Sequence, residues 1–330
     1  MVTNIDDIST QCTPLISVIV PMYKVEEYIK KCTRSILEQD FDDFEVIFVD
    51  DYTPDRSVEV LQGVLSDYPE SRCRIVHHPE NRGLAMARTT GVNVARGRYI
   101  FHIDSDDYLF PGAFRSFAIQ ARSLGFPDIV FGNFTNIYKD RQEPRKRNPN
   151  PDKVDYVVSI LRHLEPPCIW NNLIARSLYE ELEIPTINNL EDYITLPRLL
   201  YRASTFSFNT EHTYAYTHFN ESSFQKNRLS QCHIADRTRA IDYLLDYFLQ
   251  LNAPTPVIDA IRSAIFKNCA KNLIVATTRE EIRKVTFSDE DYHLYLREVK
   301  PSNRLFLILR RYNQIGIIYY LGKLARKFIR

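Results

Sequence analysis

The sequence predicts an α/β fold built on a parallel sheet, and three observations lead to this prediction. Four apolar segments rich in β-branched residues occur within the first 103 positions, each of a length suited to one buried strand. Segments with the 3.6-residue period of an amphipathic helix lie between them. Two of the apolar segments end abruptly in acidic residues. This alternation of strand and helix is typical of parallel strands joined by right-handed crossovers.

The predicted elements follow one another at short intervals. Strands are predicted at residues 15–20, 44–49, 74–77 and 100–103, and helices at residues 25–38, 57–65 and 84–95. Further along, the patterns predict a helix at 111–124, strands at 128–134 and 212–218, and helices from about residue 229 onward. Residues 139–151 are polar, basic and proline-rich, which predicts an exposed loop. Trp170, the single tryptophan, is expected to pack in the core.

Composition excludes several classes of protein. The 42 basic and 42 acidic residues of the 330-residue chain balance, so bulk charge does not indicate a nucleic-acid partner. The six cysteines form no C-x-x-C pair, which favours free thiols in a reducing cytosol and does not support a zinc site. Asp6 and Asp7 precede an apolar run of only six residues, so we expect neither a signal peptide nor a membrane anchor.

Three carboxylates follow the fourth predicted strand within four positions, at Asp104, Asp106 and Asp107. Carboxylates repel one another and are costly to desolvate, so such a cluster favours a cation that neutralises it. The carboxyl ends of strands in an open α/β sheet are also where ligands bind. The alternative is an Asp-rich turn, because Asp side chains form Asx-turns.

Phosphate-binding glycine motifs are missing from the sequence. No G-x-G-x-x-G follows the first predicted strand, and the chain has no Walker-type loop. Dinucleotide binding and P-loop phosphoryl transfer are therefore disfavoured.

Five stretches together resemble the motifs of family 2 glycosyltransferases, which have the GT-A fold. They are SVIVPMY at 17–23, VDD at 49–51 with Asp55 and Ser57, NRGLAMAR at 81–88, GRYIFHIDSDD at 97–107, and ED at 191–192. The resemblance implies a mostly parallel, Rossmann-like central sheet flanked by helices, with a helical carboxyl-terminal extension. The implied division is a tail at 1–13, a GT-A catalytic domain at 14–223 with a nucleotide-binding half at 14–110 and an acceptor-side half at 111–223, and a helical region at 224–330.

The resemblance assigns the acidic cluster to the donor and its metal. It implies that Asp106 ligates Mn²⁺ or Mg²⁺, which would stabilise the departing diphosphate, that Asp104 contacts the ribose, and that Asp107 supports the site. His218 is implied as a third metal ligand or as a hydrogen-bond donor to phosphate. A solvated histidine at a strand end is the alternative.

Further donor contacts are implied at the ends of the first two strands. Pro21 and Tyr23 would border the nucleobase, and Asp51 would accept its N–H, which selects uridine, while Asp50 is a turn residue. Arg88 would approach the diphosphate or the acidic cluster, although a structural ion pair with one of these acids also explains it.

The resemblance also implies a catalytic base. Inverting glycosyl transfer needs a group that takes the proton of the acceptor hydroxyl on the far side of the sugar from the leaving diphosphate. Asp192 is implied as that base, with Glu191 contacting the acceptor or supporting it. The alternative is that Asn189 caps a helix and that Asp192 lies in its first turn, where the macrodipole favours an acid.

Five residues at three places depart from the family pattern. Lys24 stands where Asn is common, residues 52–54 replace Gly-Ser-Thr, and Asn172 occupies a frequent Lys position. The first two touch the nucleobase pocket, and the third affects the acceptor side.

The tail at 301–330 carries seven cations and no acid among many apolar residues. Two interpretations remain open: a basic amphipathic helix on an anionic membrane surface, or a helix packed on the catalytic domain with a solvated basic face.

The function implied is that of a metal-dependent inverting glycosyltransferase of bacterial surface-polysaccharide type. It would move a hexosyl or N-acetylhexosaminyl group from a nucleotide sugar, with UDP as the expected nucleotide, to a glycan or lipid-linked glycan in capsule, exopolysaccharide or O-antigen synthesis. The expected location is the cytoplasm, with the inner face of the membrane as a second partner through 301–330. The alternatives are a nucleotidyltransferase acting on sugar phosphates and an inactive, membrane-associated scaffold.

Overall fold

The computed structural model describes residues 13–69, 72–149, 152–187, 190–218 and 231–325, with the side chains of 231–234 left aside. Several predicted features lie outside the described residues: the amino-terminal tail up to residue 12, the cap Asn189, the boundary at 223/224 and positions 326–330.

The first half of the sheet is parallel, as predicted. It consists of β1 (Ile16–Met22), β2 (Phe44–Asp50), β3 (Cys73–His77) and β4 (Tyr99–His102) in the order β3-β2-β1-β4. Each neighbouring pair is parallel. Every residue of β1 and β2 is buried, which explains why both strands are mostly apolar in sequence.

Three helices connect these strands: α1 (Ile29–Leu37), α2 (Ser57–Leu65) and α3 (Leu84–Val94). Helix α1 lies within the helix predicted at 25–38, and it buries Ile29, Cys32 and Ile36 on one apolar face. Gly91 of α3 approaches β1 so closely that an added Cβ would lie 2.4 Å from the Ile19 side chain. Helix α3 can therefore pack directly on the sheet, and this contact fixes the position of its polar residues.

The second half of the sheet is mixed. It contains β5 (Tyr108–Leu109), β6 (Ile129–Ile137), β7 (Gln142–Arg145), β8 (Asn172–Ala175) and β9 (Phe206–Thr217). Strand β8 pairs antiparallel with both β4 and β6, whereas β6 and β9 are parallel. The sequence did not predict β5, β7 and β8, because segments of two to four residues carry too little periodicity.

Helices α4 (Ala113–Ser123), α5 (Lys153–Leu161) and α6 (Glu191–Arg202) belong to this half. The carboxyl-terminal part is helical, as predicted. It consists of α7 (Gln231–Gln250), α8 (Thr255–Val275), α9 (Arg279–Lys284), α10 (Asp289–Tyr295), α11 (Pro301–Arg311) and α12 (Ile315–Ala325).

Two hydrophobic clusters involve the sheet, and a third lies in the carboxyl-terminal helices. Helices α7 and α8 share one core with β1, β2, α5 and α6, while Phe266, Ile282, Phe306, Leu307 and Ile318 belong to the third cluster. Among the described helices, none combines the length and the apolar character needed to cross a membrane.

Candidate active site

The acidic motifs meet at one edge of the sheet. Strands β1, β2 and β4 run parallel and in register, so the residues that follow them lie side by side at their carboxyl ends. These residues include Tyr23, Asp51 and the cluster at 104–107. The residues that follow β1, β2 and β4 therefore lie along one edge of the sheet.

Arg88 connects the acidic cluster that follows β4 with the start of α6. Its side chain, only 3% exposed, projects from α3 and donates to Asp104 Oδ1 at 2.6 Å. Its Nη1 donates to Glu191 Oε1 at 2.9 Å and to Asp192 Oδ1 at 2.5 Å. One guanidinium thus contacts Asp104 and both members of the acidic pair at the start of α6.

Burial and charge oppose one another in this cluster. Burial raises the pKa of Asp192 to about 7, against the Arg88 charge and a backbone hydrogen bond from Ile169 that lower it; the charges of Glu191 and Asp104 raise it further. Burial likewise raises the pKa of Glu191, although Arg88 opposes this. A carboxylate with a pKa near neutrality has the proton affinity that general-base catalysis at pH 7 requires.

Asp107 attaches the acidic loop to β9. Its carboxylate accepts hydrogen bonds from the Tyr214 hydroxyl at 2.8 Å and from the Thr217 N–H at 2.7 Å. The Tyr214 hydroxyl in turn accepts the Asp104 N–H at 3.1 Å. Burial raises the pKa of Asp107 well above its usual range, and the charges of Asp106 and Asp104 raise it further. A positive charge beside the cluster would therefore favour its ionised form.

The acidic loop suits a hard divalent cation that is shared with phosphate. Mg²⁺ and similar ions are held in such sites by one or two carboxylates, and phosphate oxygens complete their coordination. The described residues contain no group of three or more His, Cys, Asp or Glu side chains able to hold a metal by themselves. Asp106, a half-buried carboxylate between Asp104 and Asp107, fits this shared type of site.

Asp51 organises the start of α3. Its two carboxylate oxygens accept the backbone N–H groups of Arg82 and Gly83, both at 2.8 Å. One of them also contacts His78 Nδ1 at 2.7 Å. Gly83 has φ +85°, a conformation that favours glycine. Asp51 therefore holds the turn that positions the helix carrying Arg88.

Two departures from the family pattern follow β1 and β2, and both contain a residue with positive φ. Tyr52, where the family resemblance implies glycine, has φ +57° and is 62% exposed, and Lys24 has φ +56°. The Lys24 N–H donates to Thr53 Oγ1 at 2.8 Å, so the two substituted segments contact each other. Tyr23, 42% exposed, lies directly before Lys24, and Pro21 lies within β1.

His218 belongs to a stack of aromatic rings. Its ring lies parallel to that of Tyr138 with centroids 4.5 Å apart, and its Nε2 is 2.8 Å from Asn136 Oδ1. Burial lowers the pKa of His218, and Arg141 lowers it further. The neutral ring keeps a nitrogen lone pair, but no metal-binding group of described residues includes it, so its role as a ligand stays a prediction.

Sequence reasoning missed three residues that shape the site. Tyr214 and Thr217 hold Asp107, and His78 holds Asp51. The alternation of β9 places Tyr214 on a buried face, but no local signal indicates that its hydroxyl meets an acid 107 positions earlier.

Known proteins resemble this chain in sequence and in fold. The family model "Glycosyl transferase family 2" matches residues 17–183. The chain is 36% identical over 182 residues to "Uncharacterized glycosyltransferase EpsJ" of Bacillus subtilis, which covers 52% of this chain and 51% of that protein. The chain thus spans about half the length of this relative.

Two solved structures share the fold. The crystal structure of S. aureus TarS 1-349 in complex with UDP-GlcNAc is 17% identical, with a TM-score of 0.66 and coverage of 94% of this chain and 91% of that one. The mannosyltransferase PcManGT from Pyrobaculum calidifontis, in complex with GDP-Man and Mn²⁺, is 16% identical, with a TM-score of 0.51 and coverage of 95% and 87%. With the family model matching half of the residues, this chain belongs to glycosyl transferase family 2.

Proposed function

We propose that the chain is an inverting, metal-dependent glycosyltransferase that uses a UDP-sugar and glycosylates a hydroxyl of a glycan or lipid-linked glycan in the synthesis of a bacterial surface polysaccharide. The observation that carries this proposal is the contact of Arg88 with Asp104 on one side and with Asp192 on the other. It links an acid of the expected donor site to a buried acid of raised pKa, across the edge of the sheet where ligands bind.

On the donor side, Asp104 contacts the ribose, while Pro21 and Tyr23 border the base. Asp51 accepts the uracil N–H. A carboxylate has about four acceptor positions, and the described contacts of Asp51 use three of them, so one is left for the base. The UDP-GlcNAc bound to TarS and the GDP-Man bound to PcManGT support a nucleotide sugar as the class of donor.

Asp192 acts as the base. It takes the proton from the acceptor hydroxyl, whose oxygen attacks the anomeric carbon while the bond to the diphosphate breaks on the opposite face. Glu191 contacts the acceptor, and the Arg88 charge favours the ionised form of both acids against the effect of burial. The displacement inverts the anomeric configuration because the attacking and leaving oxygens lie on opposite faces.

Asp106 would hold the divalent cation together with diphosphate oxygens, and His218 is a further candidate ligand. When bound, Mn²⁺ or Mg²⁺ supplies Lewis-acid stabilisation of the charge that develops on the leaving diphosphate. The Mn²⁺ in the PcManGT complex supports this choice of metal.

The test is UDP release from a panel of UDP-sugars, with bacterial membrane extract as acceptor and Mn²⁺ or Mg²⁺ present. We expect Asp192→Asn to lower turnover by about a hundred- to ten-thousandfold, and Asp106→Asn to weaken metal-dependent UDP binding. Asp140→Asn, at an exposed Asp, is the matched control and should retain full activity. Pyrophosphate release from a nucleoside triphosphate would instead identify a nucleotidyltransferase, and a folded protein that turns over no donor would identify a scaffold.

The acceptor class makes peripheral membrane contact part of the proposal. Ile317, Tyr320 and Leu324 are exposed on α12 at helical spacing, beside exposed Lys323. We expect replacement of these three apolar residues by Ser to abolish co-flotation with phosphatidylglycerol-containing vesicles. Ile119→Ser, at an equally exposed residue of α4, is the control, and unchanged flotation of the triple variant would contradict this part of the proposal.

A further inference from the structure

A pocket lies at the opposite edge of the sheet from the acidic cluster. It has a volume of about 410 Å³, and its polar lining comes from Glu45, Arg72, Cys73, Arg74 and Arg96. These residues stand at or just before the amino ends of β2, β3 and β4. Since a strand rises about 3.3 Å per residue, β2 separates Glu45 from Asp51 by about 20 Å. The pocket is therefore distinct from the proposed donor site.

Glu45 fixes two of the three arginines. Its carboxylate is buried and accepts the Ser17 hydroxyl at 2.6 Å and the Arg96 N–H at 2.7 Å. Its other oxygen pairs with Arg74 Nη2 at 3.0 Å and with Arg96 Nη2 at 3.2 Å. The two guanidinium groups are thus held at the pocket before any ligand arrives, which lowers the entropic cost of binding.

The lining has more positive charge than Glu45 can neutralise. Three arginines and one glutamate leave two positive charges. Arg74 Nε is buried and has no hydrogen-bond partner within the described part of the chain, although Nη2 donates to Glu45 and to the Val94 carbonyl. A guanidinium has five N–H donors that match the oxygens of phosphate, and the described contacts of Arg74 leave some of these donors unused.

We propose that this pocket binds the phosphate group of a small phosphomonoester. Such a group has a charge of about −1.5 to −2 at pH 7, which matches the residual charge of the lining. The pocket is larger than phosphate requires and lies in the size range of small-molecule sites, about 300–1,000 Å³, so it accommodates the organic part of the ligand as well. This site is independent of the proposed glycosyl transfer.

Cys73 in the pocket wall provides a local probe. The rate of its alkylation by iodoacetamide is measured by peptide mass spectrometry on the full chain, with inorganic phosphate or glucose 6-phosphate, against glucose and against chloride at the same ionic strength. Both phosphate compounds should slow the reaction at Cys73, and glucose and chloride should not. The protection should persist in Asp106→Asn, which separates this pocket from the donor site.

Arg72→Gln is the informative variant, because Arg72 is exposed and lies outside the buried Glu45 contacts. It should raise the phosphate concentration for half-protection about tenfold, the effect of one lost charge-assisted hydrogen bond. Arg115→Gln, at an exposed ion pair elsewhere, should leave that concentration unchanged. Equal protection by chloride, no protection by either phosphate compound, or full protection in Arg72→Gln would overturn the proposal.

Discussion

Arg88 contacts three carboxylates and is almost completely buried. Burial alone would lower the pKa of Arg88, but the charges of Asp192, Asp104 and Glu191 raise it above its usual value, so the side chain stays charged. The same contacts make the three acids dependent on it, because a buried carboxylate without a counter-charge is costly. The structure shows Arg88 in ion pairs with these acids, and its approach to the donor diphosphate stays a prediction.

Replacement of Arg88 by Met should destabilise the protein by about 3 kcal/mol at pH 7.5, because it leaves buried charges unpaired. In the variant the acids have higher pKa values, so its native state binds more protons and the deficit should shrink as the pH falls towards 5. Denaturant unfolding at both pH values measures this. Arg115→Met, at an exposed pair with Asp40, should cost less than about 1 kcal/mol. An equally small cost for Arg88→Met would contradict the ion cluster.

The raised pKa of Asp192 should be visible in the pH dependence of activity. A base with a pKa of about 7 in the free enzyme is half protonated at that pH, so kcat/KM should decline below about pH 7. Steady-state rates from pH 5 to 9 at saturating metal test this, with the residual activity of Asp192→Asn as the comparison. A decline that begins only near pH 4 would show that the base has an ordinary carboxylate pKa.

The free energy of unfolding should also depend on the protonation of Asp192. It should fall as the pH rises, whereas activity should increase. The folded-state pKa of about 7 exceeds the ordinary Asp value of 3.8, so the native state retains a proton that the unfolded chain releases. The wild type should therefore lose stability relative to Asp192→Asn as the pH rises from about 4 to about 7. Urea unfolding of both proteins across this range measures the difference, and parallel curves would contradict the shift.

At the scale of elements, the described part of the predicted exposed loop, residues 139–149, has more regular structure than its composition suggests. It contains β7, and Arg147 within it is buried. The Arg147 guanidinium donates to the carbonyls of Gly132 and Pro166 and to Cys168 Sγ. The prediction of an exposed loop is therefore wrong for Arg147, because two carbonyls and a thiol of other segments accept hydrogen bonds from its guanidinium.

Arg147→Ala should lower the free energy of unfolding by about 3 kcal/mol, because it removes several charge-assisted hydrogen bonds and leaves buried acceptors unpaired. The neighbouring Lys146 is exposed, and Lys146→Ala should change stability by less than about 0.5 kcal/mol. Chemical denaturation of the two variants provides the comparison. Similar values for both would mean that Arg147 contributes as a surface residue.

At the scale of the whole molecule, the described part of the basic tail, residues 301–325, packs on the preceding helices. Arg304 donates to the carbonyls of Arg297 and Val299, and Arg310 donates to those of Ile282 and Arg283. These carbonyls lie at or near the ends of preceding helical segments, where cations are favourable. Packing on the protein therefore accounts for these two cations, while the apolar stripe of α12 stays available for the proposed membrane contact.

Deletion of residues 301–330 should destabilise the protein. It removes Phe306, Leu307 and Ile318 from the cluster that contains Phe266, and three large buried side chains contribute about 5 kcal/mol or more. Thermal unfolding of the deletion variant measures the loss. The triple Ser variant of Ile317, Tyr320 and Leu324 should retain the wild-type Tm, because these side chains are exposed. An unchanged Tm after the deletion would contradict a structural role of the tail.

The sequence by itself determined the parallel half of the sheet, its connecting helices, the acidic cluster after β4 and the resemblance to a family, because each leaves a local signal of period, composition or motif. The arrangement of the candidate site also depends on contacts between residues that are distant in sequence. Glu191 and Arg88 are 103 positions apart, and Asp107 and Tyr214 are 107 apart. Only the tertiary structure decided that these side chains meet, that β8 pairs antiparallel with β4, and that Arg147 is buried. Such contacts depend on how α3, α6 and β9 pack against the sheet, and a local pattern reports which face of an element is apolar but not which element covers it.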